Sequence, residues 1–190
     1  MELPFSKFTA ESQQKICSWL ADIKFKSSSG LRIKIDDDVE KTDTSKSGYK
    51  EETETTVYAL NLRNASPIDL KDIEIEYFVF YEQEKPGSKE KAQKFCTAGT
   101  MSCDLAPDEQ SEFKTTPVSV KERTLTFPEG STSSYYVYPN GASNTSEGQV
   151  KGVLFRVTKP SLSGKLLIRD VKKGRVPKEK DRGKYSGYRG

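Results

Sequence analysis

The sequence predicts an all-β fold, an antiparallel β-sandwich preceded by a short N-terminal helix. Three observations lead there: short apolar runs of period two, turn residues between them, and a hydrophobic content of only 33%. Globular domains usually carry about 45–50% by a count that also includes glycine. So lean a chain must concentrate its core in short stretches, and two packed sheets allow each strand to bury one side only. The 190 residues suit one domain, and the 31% charged residues, mixed in sign, suit a folded surface better than disorder.

The elements follow in order. Thr9 or Ser12 can cap a helix running to about Leu20, with Ile16, Trp19 and Leu20 on one face, covering an end or edge of a sheet. From Ala21 the period changes: Ile23, Phe25, Leu31, Ile33 and Ile35 alternate with basic residues, interrupted by Ser27–Gly30. Asp36–Glu54 reads as a polar, acidic stretch. Val57–Leu62 is a central strand ended by Asn64-Ala65-Ser66-Pro67. In the next strand Ile73, Ile75, Tyr77, Val79 and Tyr81 alternate with Asp72, Glu74, Glu76, Phe78 and Phe80, so both faces turn apolar at its far half.

A strand or hairpin is expected over 94–105, and a strand over 111–120 in which Pro117 marks an edge or bulge. Residues 128–149, rich in Gly, Ser, Asn and Tyr, read as a long surface loop. Val153, Phe155 and Val157 mark another strand, and Leu166, Ile168 and Val171 the closing one. About eight strands with turn signals between them form the immunoglobulin-like pattern. The division is a helical segment over 1–20, the sandwich over 21–171, and a basic tail over 172–190 that leaves the fold at Lys172-Lys173-Gly174. From Lys165 onward there are 10 Lys/Arg against 3 Asp/Glu, on an otherwise mildly acidic chain.

The chemistry is narrowed by what is missing. There is no histidine, so the usual hydrolytic triads lack their base, and no phosphate-cradling glycine loop or nucleophile elbow occurs. Carboxylates in polar runs stay solvated, with pKa values too low for general acid work. No catalytic residue, cofactor or metal ligand set is assigned, and the expectation is a non-enzyme. Asp36-Asp37-Asp38 with Glu40 and Asp43 is the best ion-binding candidate, but adjacent aspartates in an extended segment point alternately to opposite sides. A solvated acidic loop is the preferred reading. Cys96 and Cys103 could meet across a hairpin as a disulfide; the alternative is that they and Cys17 are three unpaired thiols.

The surface holds the remaining candidates. Tyr135, Tyr136 and Tyr138, on a polar loop, offer flat faces with hydroxyl handles suited to sugar stacking or protein contact, unless they pack onto the sandwich. The tail interleaves basic residues with Tyr185 and Tyr188, yet Glu179 and Asp181 dilute it and no base-stacking platform accompanies it. It is read as solvated or docked on an acidic neighbour, with no nucleic-acid partner. The sequons at Asn64 and Asn144 are read as chance. No run approaches the ~18 apolar residues needed to span a membrane, and Met1–Phe5 has neither the basic nor the apolar region of a signal peptide.

The segments Tyr58–Ser66 and Leu70–Tyr81 resemble a strand-turn-strand unit of secreted bacterial β-sandwich proteins. Gly99-Thr100, Leu105–Glu109, Phe113–Thr115 with Pro117-Val118, and Gly152–Val157 add to the likeness. Over roughly residues 55–170 the chain is similar to immunoglobulin-like proteins of verrucomicrobial bacteria, one of them associated with a type IV pilus gene cluster. The resemblance implies an exported or envelope protein whose leader has been removed, with a role in pilus assembly, adhesion or host contact. The expectation is therefore a non-catalytic interaction protein with a protein partner at the cell surface. The alternative is a carbohydrate-binding module that uses the three tyrosines.

Overall fold

The computed structural model describes residues 8–46, 48–126 and 140–189. Helix α1 spans Ala10–Lys26, capped by Thr9, whose side chain accepts from the Ser12 amide at 3.2 Å. Glu11 in the first turn and Lys24 and Lys26 in the last complement the helix dipole. The helix is thus six residues longer than expected, and Ile23 and Phe25 belong to it rather than to a strand. No turn former separates Leu20 from Lys26, and Ala21 and Phe25, four apart, become buried together. The break comes at Ser27, whose amide bonds back to the carbonyls of Ile23 and Lys24.

Two antiparallel sheets follow. The first contains β1 (Leu31–Lys46) and β2 (Tyr49–Asn64), joined in an unbroken ladder from Leu31↔Asn64 to Lys46↔Tyr49. The acidic stretch expected as a loop is therefore the distal half of a long hairpin. Apart from Val39 and Tyr49 its side chains are polar on both faces, so no apolar alternation announces it. Cross-strand pairs such as Lys41 with Glu52 and Thr42 with Thr53 line it.

The other edge of β2 is shared by β5 (Gln110–Lys114) and β6 (Val118–Leu125), with β7 (Thr145–Ser146) beyond β6. Between β5 and β6 lie Thr115, Thr116 and Pro117. Thr115 donates its amide to the Tyr58 carbonyl and accepts the Tyr58 amide on its hydroxyl, so the ladder interruption leaves no orphan there.

The second sheet has the order β4 (Gln93–Leu105), β3 (Leu70–Gln83), β8 (Gly148–Pro160), β9 (Leu166–Gly174). The sheets close on a core of Leu60 and Leu62 from one side and Ile73, Ile75, Val79 and Phe155 from the other, all fully buried. Tyr77 lies across Gly99 on β4, where a Cβ would stand 2.6 Å from its ring. Its hydroxyl exchanges bonds with Thr116 at the β5–β6 break.

The far half of β3 is apolar on both faces because a second, smaller cluster lies outside the sandwich. Phe78, Phe80, Leu154 and Cys96 are covered there by Tyr185, with Val176 and Tyr188 packed against them. The chain does not leave the fold at Gly174. It passes through a one-turn helix, α2 (Glu179–Arg182), and returns over the second sheet. The basic segment keeps its charges in water while its two tyrosines supply apolar cover.

Candidate interaction surface

Helix α1 presents two faces of different chemistry. Gln14, Cys17, Ser18, Ala21 and Phe25, spaced at three and four residues, face the sandwich. Ile16, Trp19, Leu20 and Ile23 form the opposite stripe, where Trp19 is 58% and Ile23 43% exposed. Of the stripe expected to cover a sheet, Ile16 and Leu20 are half-buried and Trp19 is exposed. Phe25, with Ala21 one turn before it, anchors the helix in the core, and polar bonds add to the attachment.

Those bonds are specific. Asp22 accepts from Lys159 Nζ at 2.9 Å and from the Leu162 amide at 3.0 Å, while Lys159 also donates to the Pro160 carbonyl. Both side chains are largely buried, at 16% and 10% exposure. Arg169 on β9 donates to the carbonyls of Phe25 and Leu31, and burial lowers its pKa. Beside the Asp22–Lys159 pair opens a cleft of about 710 Å³, between α1, the β2–β3 connection and the end of β8. The Asp22–Lys159 pair beside it is committed internally, so that pair gives the cleft no free base or acid.

The residues singled out from the sequence scatter over the molecule. Tyr135, Tyr136 and Tyr138 lie outside the described residues. Asp36, Asp37 and Asp38 sit on successive positions of β1, not in a loop; Asp36 accepts from Asn61 at 3.2 Å and Asp37 pairs with Lys173. Cys96 and Cys103 do not form the hairpin disulfide. They stand seven residues apart on one continuous strand, about 23 Å at 3.3 Å per residue. The odd spacing puts Cys96 in the outer cluster and Cys103 against the main core, and all three thiols are unpaired. Burial comes first in pushing both thiols up to about 11. Asn64 is fully buried, its Nδ2 donating to the carbonyls of Ile68, Leu105 and Ala106, which explains that residue structurally.

Sequence reasoning missed the docking of the C-terminal segment. Tyr185 donates to Glu82 at 2.9 Å, stacks edge-on against Phe80, and lies under Lys94. Burial resists ionisation of Glu82, but Tyr185, Lys151 and Lys94 outweigh it and hold its pKa low. Tyr185 itself is pushed up to about 12, by burial first and then by its bond to Glu82. The signal was present in the strand with two apolar faces: its outer face needed a cover, and the tail carried two unassigned tyrosines.

No known family description matches the chain, and no curated protein matches it. Among solved structures it is similar to structural-genomics target SoR45, at 10% identity over 78% of this chain and 89% of that one, with a TM-score of 0.33. The ApaA protein from Bordetella pertussis gives 8% identity, 75% and 89% coverage and a TM-score of 0.35. Spo0M, a sporulation control protein from Bacillus subtilis, gives 12% identity, 75% and 48% coverage and a TM-score of 0.24, so the chain spans about half of its length. Likenesses this distant decide nothing about function. Among the described residues no helix is long and apolar enough to cross a membrane.

Proposed function

We propose that the chain is a non-catalytic interaction domain that docks a protein partner on the outward face of α1. The observation that carries this reading is the exposure of one side of the helix: Trp19 and Ile23, one turn apart, face water while Ala21 and Phe25 meet the sandwich. Exposed Trp ranks among the side chains most enriched at binding hot spots. Covering Trp19 and Ile23 would contribute on the order of 2–3 kcal/mol by area alone.

The finer reading is an immunoglobulin-like, extracytoplasmic domain of the envelope or of a pilus. Its support is the two-sheet architecture together with the sequence resemblance. The sugar-binding alternative on Tyr135, Tyr136 and Tyr138 gains nothing from the described residues.

The test is a photo-crosslinking amino acid at position 20, applied to the full chain in envelope extracts. Under this reading it captures a pilus or envelope protein, and W19D/I23D abolishes the adduct. Capture that persists in W19D/I23D, or no adduct at all, would overturn it. The chain's single Trp offers a second readout: its emission should shift to the blue on adding the captured protein.

A further inference from the structure

The C-terminal segment does more than cover apolar surface. Strand β4 is an edge of its sheet, and an unpaired edge is a template for another strand. Ser186 occupies part of it, donating its amide to the Lys94 carbonyl at 3.0 Å and accepting the Cys96 amide at 2.7 Å. Side chains on either side fill a trough on the outer face of the sheet. Tyr185 lies 5.2 Å from Phe80, ring centre to ring centre, and Tyr188 lies 5.1 Å from Phe78.

The residue between them is constrained. Gly187 has φ +93°, and a Cβ there would stand 2.3 Å from the Cys96 carbonyl oxygen. The fit therefore specifies an aromatic residue, a spacer, a glycine and a second aromatic residue. Main-chain bonds to a sheet edge beside pockets for side chains are also the elements by which strand-addition domains take peptides, here as a single bridge at Ser186 flanked by two aromatic residues.

Charge adds to the fit. The segment from Arg175 onward carries six Lys/Arg against two Asp/Glu. The trough has Glu82 at the Tyr185 hydroxyl, and Glu74 and Glu76 lie farther along the same face of β3. The segment is thus a strap of basic and aromatic character on an aromatic seat, whose Glu82 is shared with Lys94 and Lys151 and whose Glu76 lies opposite Arg156.

We propose that this trough is a peptide-binding site for a Tyr-x-Gly-Tyr turn with basic flanks, filled in cis by Tyr185–Tyr188 and available to a partner protein that carries the same turn. The partner binds by displacing the strap. In the resting chain the strap acts as an intramolecular competitor at high effective concentration. The site lies on the outer face of the second sheet and does not depend on the α1 surface.

The experiment uses the full chain and a fluorescent peptide, Lys-Tyr-Ser-Gly-Tyr-Arg. Gly187→Ala lifts the strap without altering the trough, and Y185A/Y188A does so by a second route; circular dichroism verifies that each stays folded. Cys96, beneath the strap, reports release through its alkylation rate, with exposed Cys17 as the internal reference. Both variants should raise Cys96 alkylation and bind the peptide at least ~10-fold more tightly than the unaltered chain, a change of about 1.4 kcal/mol. Adding Phe78→Ala to Gly187→Ala should remove that gain. Faster alkylation without tighter peptide binding would overturn the proposal, because the seat would then not accept the turn in trans. Unchanged alkylation in both variants would overturn it too, because the strap would not be exchangeable.

Discussion

Arg169 is joined to Phe25 across the side of the sandwich: its Nη1 donates to the Phe25 carbonyl at 2.9 Å and also to that of Leu31 at 2.7 Å. One guanidinium on β9 thereby ties the last turn of α1 and the first residue of β1 to the second sheet. Arg169→Met leaves two carbonyls without this donor in a part-buried setting. The expected loss is about 1.5–3 kcal/mol, the range for a hydrogen bond to a charged group. Urea unfolding should show a lower midpoint with an unchanged slope, and Arg169→Lys should recover only part, since an ammonium lacks the planar fork.

Asp22 and Lys159 hold the other end of the contact between α1 and β8. Asp22→Ala strands a lysine that is only 10% exposed, at a cost of about 2–4 kcal/mol, whereas an apolar pair such as D22L/K159M should cost less than the two single changes summed. A double-mutant cycle measured by thermal or urea unfolding reads this coupling. Additive losses would mean that the two side chains act independently.

Glu51 on β2 is bonded by Lys121 and by Arg123, both on β6. The Lys121 bond first, then the Arg123 bond, lower its pKa from 4.5 to about 2. A carboxylate with a depressed folded-state pKa contributes stability that is fully present above its unfolded value and is lost as pH falls through the folded one. Stability should therefore decline between about pH 5 and pH 2. In Glu51→Gln the same window should be flatter, as read by melting temperature against pH.

The thiols should separate by environment. Cys17 is exposed, whereas Cys96 and Cys103 are raised to about 11, which leaves little thiolate at neutral pH. Alkylation under native conditions should modify Cys17 first and the other two only slowly. Mass spectrometry without reduction should find no peptide linking Cys96 to Cys103.

The parts of the fold legible in advance were those with one wet face and one dry face. Leu60 and Leu62, and Ile73 through Tyr77, announced their strands because burial alternates along them. The distal hairpin of β1 and β2 was opaque because its ladder is made by backbone groups, with mostly polar side chains on both faces. The end of α1 was misjudged because Ile23 and Phe25 satisfy a period of two over so short a span. For the candidate surface, Trp19 and Ile16 were legible as one stripe, but its direction was not. Periodicity reports which residues share a face and says nothing of what that face meets.

By itself the sequence determined the two-sheet class, the inward residues of β2, β3 and β8 and the absence of histidine chemistry; in β9 it named Leu166 and Ile168, which are exposed, while Leu167 is the buried one. All of these depend on local alternation and on residue type. Only the tertiary structure decided that α1 leaves Trp19 and Ile23 exposed, that Cys96 and Cys103 lie on opposite faces of one strand, and that Tyr185 and Tyr188 close the outer face of β3. Each of these depends on how elements far apart in the chain pack together. Asp22 with Lys159, Phe25 with Arg169 and Glu82 with Tyr185 are bonds that no local pattern encodes.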